Sequence, residues 1–188
     1  MKNIYRILVL VMSVGLLSQC ADDGEYDHPI VHDNFPEVPI HFATAATQGA
    51  NPYYTVAWGT DGAGSALATP AANNIVISIS VPDDAPLKIR EITKMISGAT
   101  GITPGNLATV TVANYLPAPV AVNGTSTTIT TNMAEFNTRT PAAARVTQAN
   151  VNAITATSPY VERAFMFLVT LEDGSTIVTQ QLRLRVVK

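Results

Sequence analysis

An all-β, antiparallel sandwich carrying one or two short helices is the fold class this sequence predicts, and three observations predict it. Apolar and polar residues alternate over short stretches, which is the period of a half-buried strand. Threonine, valine and isoleucine fill those stretches, and their branched Cβ atoms suit a pleated sheet. Gly, Pro and Asp-Gly signals separate them at short intervals, as in a sandwich rather than a βαβ fold. The chain has 188 residues, 47% of them hydrophobic and 13% charged, a composition that collapses into a core instead of staying disordered. A body of about 150 residues buries roughly 68–70% of its unfolded surface, enough for one core without staples. No fixed-period repeat of the solenoid or propeller kind runs through it.

The elements follow in order along the chain. Asn51-Pro52-Tyr53-Tyr54-Thr55-Val56-Ala57-Trp58 concentrates the aromatics, and on a strand Tyr54, Val56 and Trp58 share one face. Residues 75–81 alternate cleanly, placing Ile75, Ile77, Ile79 and Val81 on one face. Pro82-Asp83-Asp84-Ala85-Pro86 is a turn, and another strand starts at 87 and reaches 96. Val110 and Val112 opposite Thr109 and Thr111 predict a strand over 107–113. The threonine-rich stretch 126–131 suits a sheet edge or an exposed face. Asn132-Met133-Ala134-Glu135 fits a capping box opening a two-turn helix to 139, with Met133 and Phe136 on one side. Pro141 at a first helical position opens a second short helix to 145. The last signal is a hairpin: 164–171, then Glu172-Asp173-Gly174-Ser175, then 176–187. Phe165, Phe167, Val169 and Leu171 face inward in its first arm, and Leu182, Leu184 and Val186 in its second, with Arg183 and Arg185 outward.

The N-terminal segment has a different character. Lys2 and Arg6 precede an apolar run over 7–17, the layout of an export signal. That run is too short for a spanning helix, which needs about 20 apolar residues. The sole cysteine closes it in Leu17-Ser18-Gln19-Cys20. This tetrapeptide resembles the bacterial lipobox, in which the thiol takes a diacylglyceryl group before cleavage on its N-terminal side. Gln19 stands where that family usually carries Gly, Ala or Ser. The resemblance implies a lipid anchor on Cys20 and hence a membrane as partner. Cys20-Ala21-Asp22-Asp23-Gly24-Glu25 resembles the acidic export signal of surface-displayed Bacteroidota lipoproteins, which implies an outer-membrane, surface-exposed location; a periplasm-facing or secreted protein is the alternative. Three segments are therefore expected: a signal peptide over 1–19, a lipidated cysteine and acidic, proline-containing extended linker over 20–39, and a sandwich over 40–188.

Charge and chemistry exclude several classes. The formal net charge of -3 offers no field for nucleic acid. It sums an acidic stretch over 21–87, which has no Lys or Arg, and a mildly basic remainder. One cysteine rules out an internal disulfide and multi-cysteine metal sites. His28 and His32 flank Pro29 in the linker, which prevents the shared helical face a metal pair would use. No metal or cofactor is expected. Nucleophilic catalysis lacks a body thiol and its base, and the acids of Asp83-Asp84 and Glu172-Asp173 read as turn residues. The chain is not expected to be an enzyme. Tyr53, Tyr54 and Trp58 are the candidate ligand-binding residues, as a stacking platform for a sugar ring; the competing reading places the stripe in the core.

The final hairpin resembles the closing strands of immunoglobulin-like domains in Bacteroidota lipoproteins. That resemblance implies an immunoglobulin-like antiparallel β-sandwich acting as a structural or protein-interaction module in the cell envelope. A glycan-binding accessory lipoprotein is the alternative, and a hydrolase the third reading.

Overall fold

A computed structural model describes residues 38–43, 45–48, 51–122 and 124–188. The expected signal peptide, Cys20, and the linker as far as Glu37 lie outside the described residues. Val38, two residues ahead of the expected boundary at 40, is buried in the core.

The strands are β1 (His41–Ala43), β2 (Ala46–Gln48), β3 (Asn51–Ala57), β4 (Asn74–Ser80), β5 (Ile89–Gly98), β6 (Val120–Ala121), β7 (Ser126–Asn132), β8 (Val161–Leu171), β9 (Thr176–Val178) and β10 (Leu182–Val187). Among the described residues three short helices join them: α1 (Pro104–Ala108), α2 (Met133–Arg139) and α3 (Gln148–Asn152), with a 3-10 turn over Ala142–Ala144. One sheet has the order β1-β4-β7; the other runs β2-β3-β10-β8-β5-β6, with β9 extending the partner strand of β8. With β1, β4, β5, β7, β8 and β10 lettered A, B, C, E, F and G, the sheets are A-B-E and G-F-C, the division found in immunoglobulin-type sandwiches.

The larger sheet is mixed rather than purely antiparallel. β3 runs parallel to β10, with Tyr53 opposite Arg183 and Ala57 opposite Val187. Antiparallel neighbours can follow each other through a tight turn, but a parallel pair needs a long connection. Here most of the domain lies between the two strands.

The inward faces follow the alternation of the sequence. Ile75, Ile77, Ile79 and Val81 from the first sheet meet Phe165, Phe167, Val169, Leu182, Leu184 and Val186 from the second, all buried. Full burial of each such side chain contributes about 1.5–3 kcal/mol. β5 departs from a period of two: Ile89, Ile92 and Met95 all face the core at a spacing of three. Two register irregularities against β8, between Ile89 and Glu91 and between Ile92 and Lys94, account for this. Each extra residue returns the next apolar side chain to the inner face. Phe165 sits at the centre, with Tyr115 and Phe136 edge-on at 5.4 Å each and Phe167 tilted at 6.5 Å.

The segment 107–113 is not a strand. Pro104 at the helix start and Asn106, whose Oδ1 accepts the Thr103 N–H at 2.7 Å, close a helical turn at α1 instead. Lys94 Nζ donates to the carbonyls of Leu107 and Thr109 at 3.0 and 2.9 Å, satisfying acceptors left open at the helix end. Leu107 then packs with Ile96 and Met166 into a small second core on the outer side of the large sheet. That cover is why Ala164, Phe165, Met166 and Phe167 are buried in succession, where half-burial would alternate. Val110, unpaired, is 94% exposed.

α2 forms where its capping signal stands: Asn132 Oδ1 accepts the Glu135 N–H at 2.9 Å, and Met133 and Phe136 are buried. The second helix expected from Pro141 shrinks to the 3-10 turn. α3 follows it, capped by Thr147 and Asn150, without having been foreseen. The closing hairpin turns at Gly174, φ 89°, with Asp173 Oδ1 accepting the Ser175 N–H at 2.9 Å. Its second arm is interrupted at Thr179, whose hydroxyl accepts the Phe167 N–H at 3.1 Å in place of a backbone carbonyl.

Tyr115 gives the core an alkaline sensitivity. The phenol is 2% exposed, its hydroxyl 2.5 Å from Thr131 Oγ1, which donates on to Glu135 Oε2 at 2.9 Å. Burial is the main cause that raises its pKa above the ordinary value of 10.0. A raised folded-state pKa means the folded state holds its proton longer than the unfolded one. Stability from this group is therefore complete below 10.0 and falls as pH climbs through the folded-state value. Urea midpoints measured across that range should decline in the wild type, and Tyr115→Phe should remove this component of the decline.

Candidate functional site

The three aromatic candidates, Tyr53 and Tyr54 on β3 and Trp58 just past its end, do not form a platform. Strand alternation turns Tyr54 and Trp58 toward the interior and Tyr53 to the opposite side. Trp58 is 2% exposed, and its indole N–H donates to the Leu67 carbonyl at 2.9 Å. The loop carrying Leu67 is fastened in turn to α3, since Ala66 N donates to Asn152 Oδ1 and Gln148 Nε2 donates to the Ala66 carbonyl, at 2.8 and 2.7 Å. The indole is thus a roofed core residue with no face for a sugar ring. Tyr54 packs against the core and donates its hydroxyl to the Ala43 carbonyl at 2.5 Å.

Tyr53 belongs instead to a cluster on the outer side of the large sheet. The Arg185 guanidinium lies 3.8 Å from the Tyr53 ring centre and 4.4 Å from that of Tyr160. Glu162 Oε1 accepts from Arg185 Nε at 3.1 Å, while its other oxygen stands 3.5 Å from Arg183 Nη1. Arg183 and Arg185 do face outward, but one carboxylate and two aromatic rings occupy them. The cluster ties β3, β10 and β8 together.

Three further acids of the body, Asp61, Asp83 and Asp173, are engaged by nearby groups. Asp61 accepts from the backbone of Ala63 and Ser65 at 3.0 and 2.9 Å, which closes its own loop. Asp83 accepts from Thr125 Oγ1 at 3.1 Å, and Asp173 holds the hairpin turn. Among the described residues, no group of three His, Cys, Asp or Glu side chains converges in a way that could hold a metal ion.

Among the described residues, what the fold leaves open is the outer side of the three-stranded sheet and its β7 border. Pairing places His41, Ser80 and Ser126 in one row, Ala43, Ser78 and Thr128 in the next, and Val76 beside Thr130 in a third. Ser78 Oγ and Thr128 Oγ1 are 3.4 Å apart. A solvent-open cavity of about 460 Å³ lies at one end, lined by Ser78, Ser80, Asp83, Ser126 and Thr128 among others. Hydroxyls, each able to donate and accept, dominate this surface, and Asp83 is the charge at its rim.

The border itself follows from hydrogen-bond parity. Val81 N donates to the carbonyl of the opposing Thr125 at 2.9 Å. Bonded pairs alternate in an antiparallel ladder, so Thr127, Ile129 and Thr131 turn their backbone groups toward β4. Ser126, Thr128 and Thr130 turn theirs away from it, and their side chains are exposed. Among the described residues no strand pairs with that side of β7. The threonine-rich composition had pointed to an edge or an exposed face, and β7 is both.

No family model, curated protein or solved structure matches this chain.

Proposed function

We propose that this protein is a non-catalytic cell-envelope lipoprotein that presents its sandwich as a structural or protein-interaction module at the outer membrane. The observation that carries the reading is Leu17-Ser18-Gln19-Cys20, the only thiol of the chain placed where an export signal ends. The acidic residues Asp22, Asp23 and Glu25 just beyond it support display on the cell surface. The open border of β7 supports an interaction role, because unpaired strand groups are a template for another chain. The linker, with Pro29, Pro36 and Pro39 spaced through it, suits a spacer that holds the module away from the anchor. Glycan binding through Tyr53, Tyr54 and Trp58 is not favoured, since it depends on an accessible indole.

Protease added to intact cells tests the surface location. The full-length band should disappear while a periplasmic control protein survives, with cleavage in the linker ahead of the sandwich. Survival of the band on intact cells, together with its loss once the outer membrane is opened, would place the protein on the periplasmic side and overturn surface display.

A further inference from the structure

Among the described residues the two sheets end in β1 and β7 and in β2 and β6, and three of these four strands are short. β1 and β2 have three residues each and β6 has two. Shortness is one of the ways in which folded proteins keep sheet edges from pairing with other chains. β7 is different: it has seven residues in unbroken register with β4, from Asn74 opposite Asn132 to Ser80 opposite Ser126. It contains no charge, no proline, no glycine and no bulge, so its own residues supply none of the usual guards. Its sequence also reads the same in both directions about Ile129: Thr127-Thr128-Ile129-Thr130-Thr131.

We infer that β7 pairs antiparallel with β7 of a second copy of this chain about a two-fold axis at Ile129, joining two three-stranded sheets into one of six strands. The inference rests on the interaction role proposed above and names the partner. A two-fold interface must be self-complementary, each residue meeting its symmetry counterpart's position. The palindrome supplies this, because Thr128 of one copy faces Thr130 of the other and Thr127 faces Thr131. The parity of the edge agrees. Thr128 and Thr130 are the residues whose N–H and C=O point outward, so the two Thr128–Thr130 pairs exchange four backbone hydrogen bonds. Threonine opposite threonine is a favourable cross-strand pair, and with no charge on the strand nothing repels the like copy. The two Ile129 side chains meet at the axis on the inner face. Pairing along one strand is at the small end of protein interfaces, and confinement of both copies to one membrane raises their effective concentration.

The test is sedimentation of the purified full chain in mild detergent over a concentration series, with thermal melting as the check on folding. The wild type should show a monomer–dimer equilibrium. Thr130→Lys, which places an ammonium beside the axis on each copy, should weaken the dimer at least about tenfold at an unchanged melting temperature. Thr128→Pro removes an N–H that points away from β4 and should act likewise; where that variant fails to fold, Thr130→Lys alone decides. Val76→Lys, on the same face but in the middle strand, should leave the dimer intact. Hydrogen exchange at Thr128 and Thr130 should slow as the dimer forms. A wild type that stays monomeric throughout the series, a dimer that survives Thr130→Lys, or one that Val76→Lys also dissolves would each overturn the inference. Membrane retention that depends on Cys20 in a monomeric protein would overturn it while leaving the lipoprotein reading intact.

Discussion

Cys20→Ala is expected to move the protein from the membrane fraction to the soluble fraction. The physical basis is the transfer of acyl chains out of water, at about 0.8 kcal/mol for each buried methylene. One chain binds reversibly, whereas the two of a diacylglyceryl group hold firmly, so losing the thiol that carries them removes the anchor entirely. No other residue of the chain offers a thiol. Among the described residues no helix is long and apolar enough to cross a membrane. Fractionation of cells expressing wild type and variant, followed by a carbonate wash, reads the difference directly. A variant that remains in washed membranes like the wild type would overturn the lipid anchor.

Phe165→Ala is expected to cost about 3–5 kcal/mol of folding stability, a large part of the roughly 5–15 kcal/mol that a domain of this kind possesses. The ring is 1% exposed and stands where three aromatic neighbours converge, two of them edge-on. Truncation loses the transfer energy of the ring and leaves a cavity lined by Tyr115, by Phe136 of α2 and by Phe167 two residues along the same strand. A loop, a helix and a strand carry these rings, each held by its own packing, so they cannot close in together. Urea unfolding of both forms gives the difference. Val178→Ala, at a residue 38% exposed, is the comparison and should change stability by no more than about 0.5 kcal/mol. A loss of less than about 1 kcal/mol for Phe165→Ala would mean that the centre of the core lies elsewhere.

The parts of the fold that were legible in the sequence are those set by neighbours in the chain. Ile75, Ile77, Ile79 and Val81 alternate because one face of β4 is wet and the other dry, and no distant residue is needed to see it. Asn132 announces α2 because an N-cap and its target lie three residues apart. Asp173 and Gly174 announce the hairpin for the same reason. Threonine at 127, 128, 130 and 131 indicates a strand suited to exposure. These inferences compare a residue with others a few positions away, which is the range over which backbone hydrogen bonding and side-chain period act.

The misread segments are those where a distant contact outweighed local pattern. Val110 and Val112 alternate with threonines, yet among the described residues no strand pairs with them, and Lys94 on β5 holds the neighbouring carbonyls in another arrangement. Residues 164–167 are buried on both faces because Leu107 and its helix cover the sheet from outside. Trp58 could have lain on a surface or in a core; the loop carrying Leu67 and its attachment to α3 decided for the core.

The candidate site divides in the same way. Cys20, the acidic run behind it and the strand character of 126–132 are written in consecutive residues. That β7 ends its sheet, and that Ser126, Thr128 and Thr130 are the residues with outward backbone groups, depends on which strand takes the other side of it. Pairing partners in a sandwich come from segments far apart in sequence, here residues 74–80 with residues 126–132. An edge is defined by the neighbour that is missing, and threonine-rich residues suit an exposed face in mid-sheet as well as an edge, so composition alone does not separate the two.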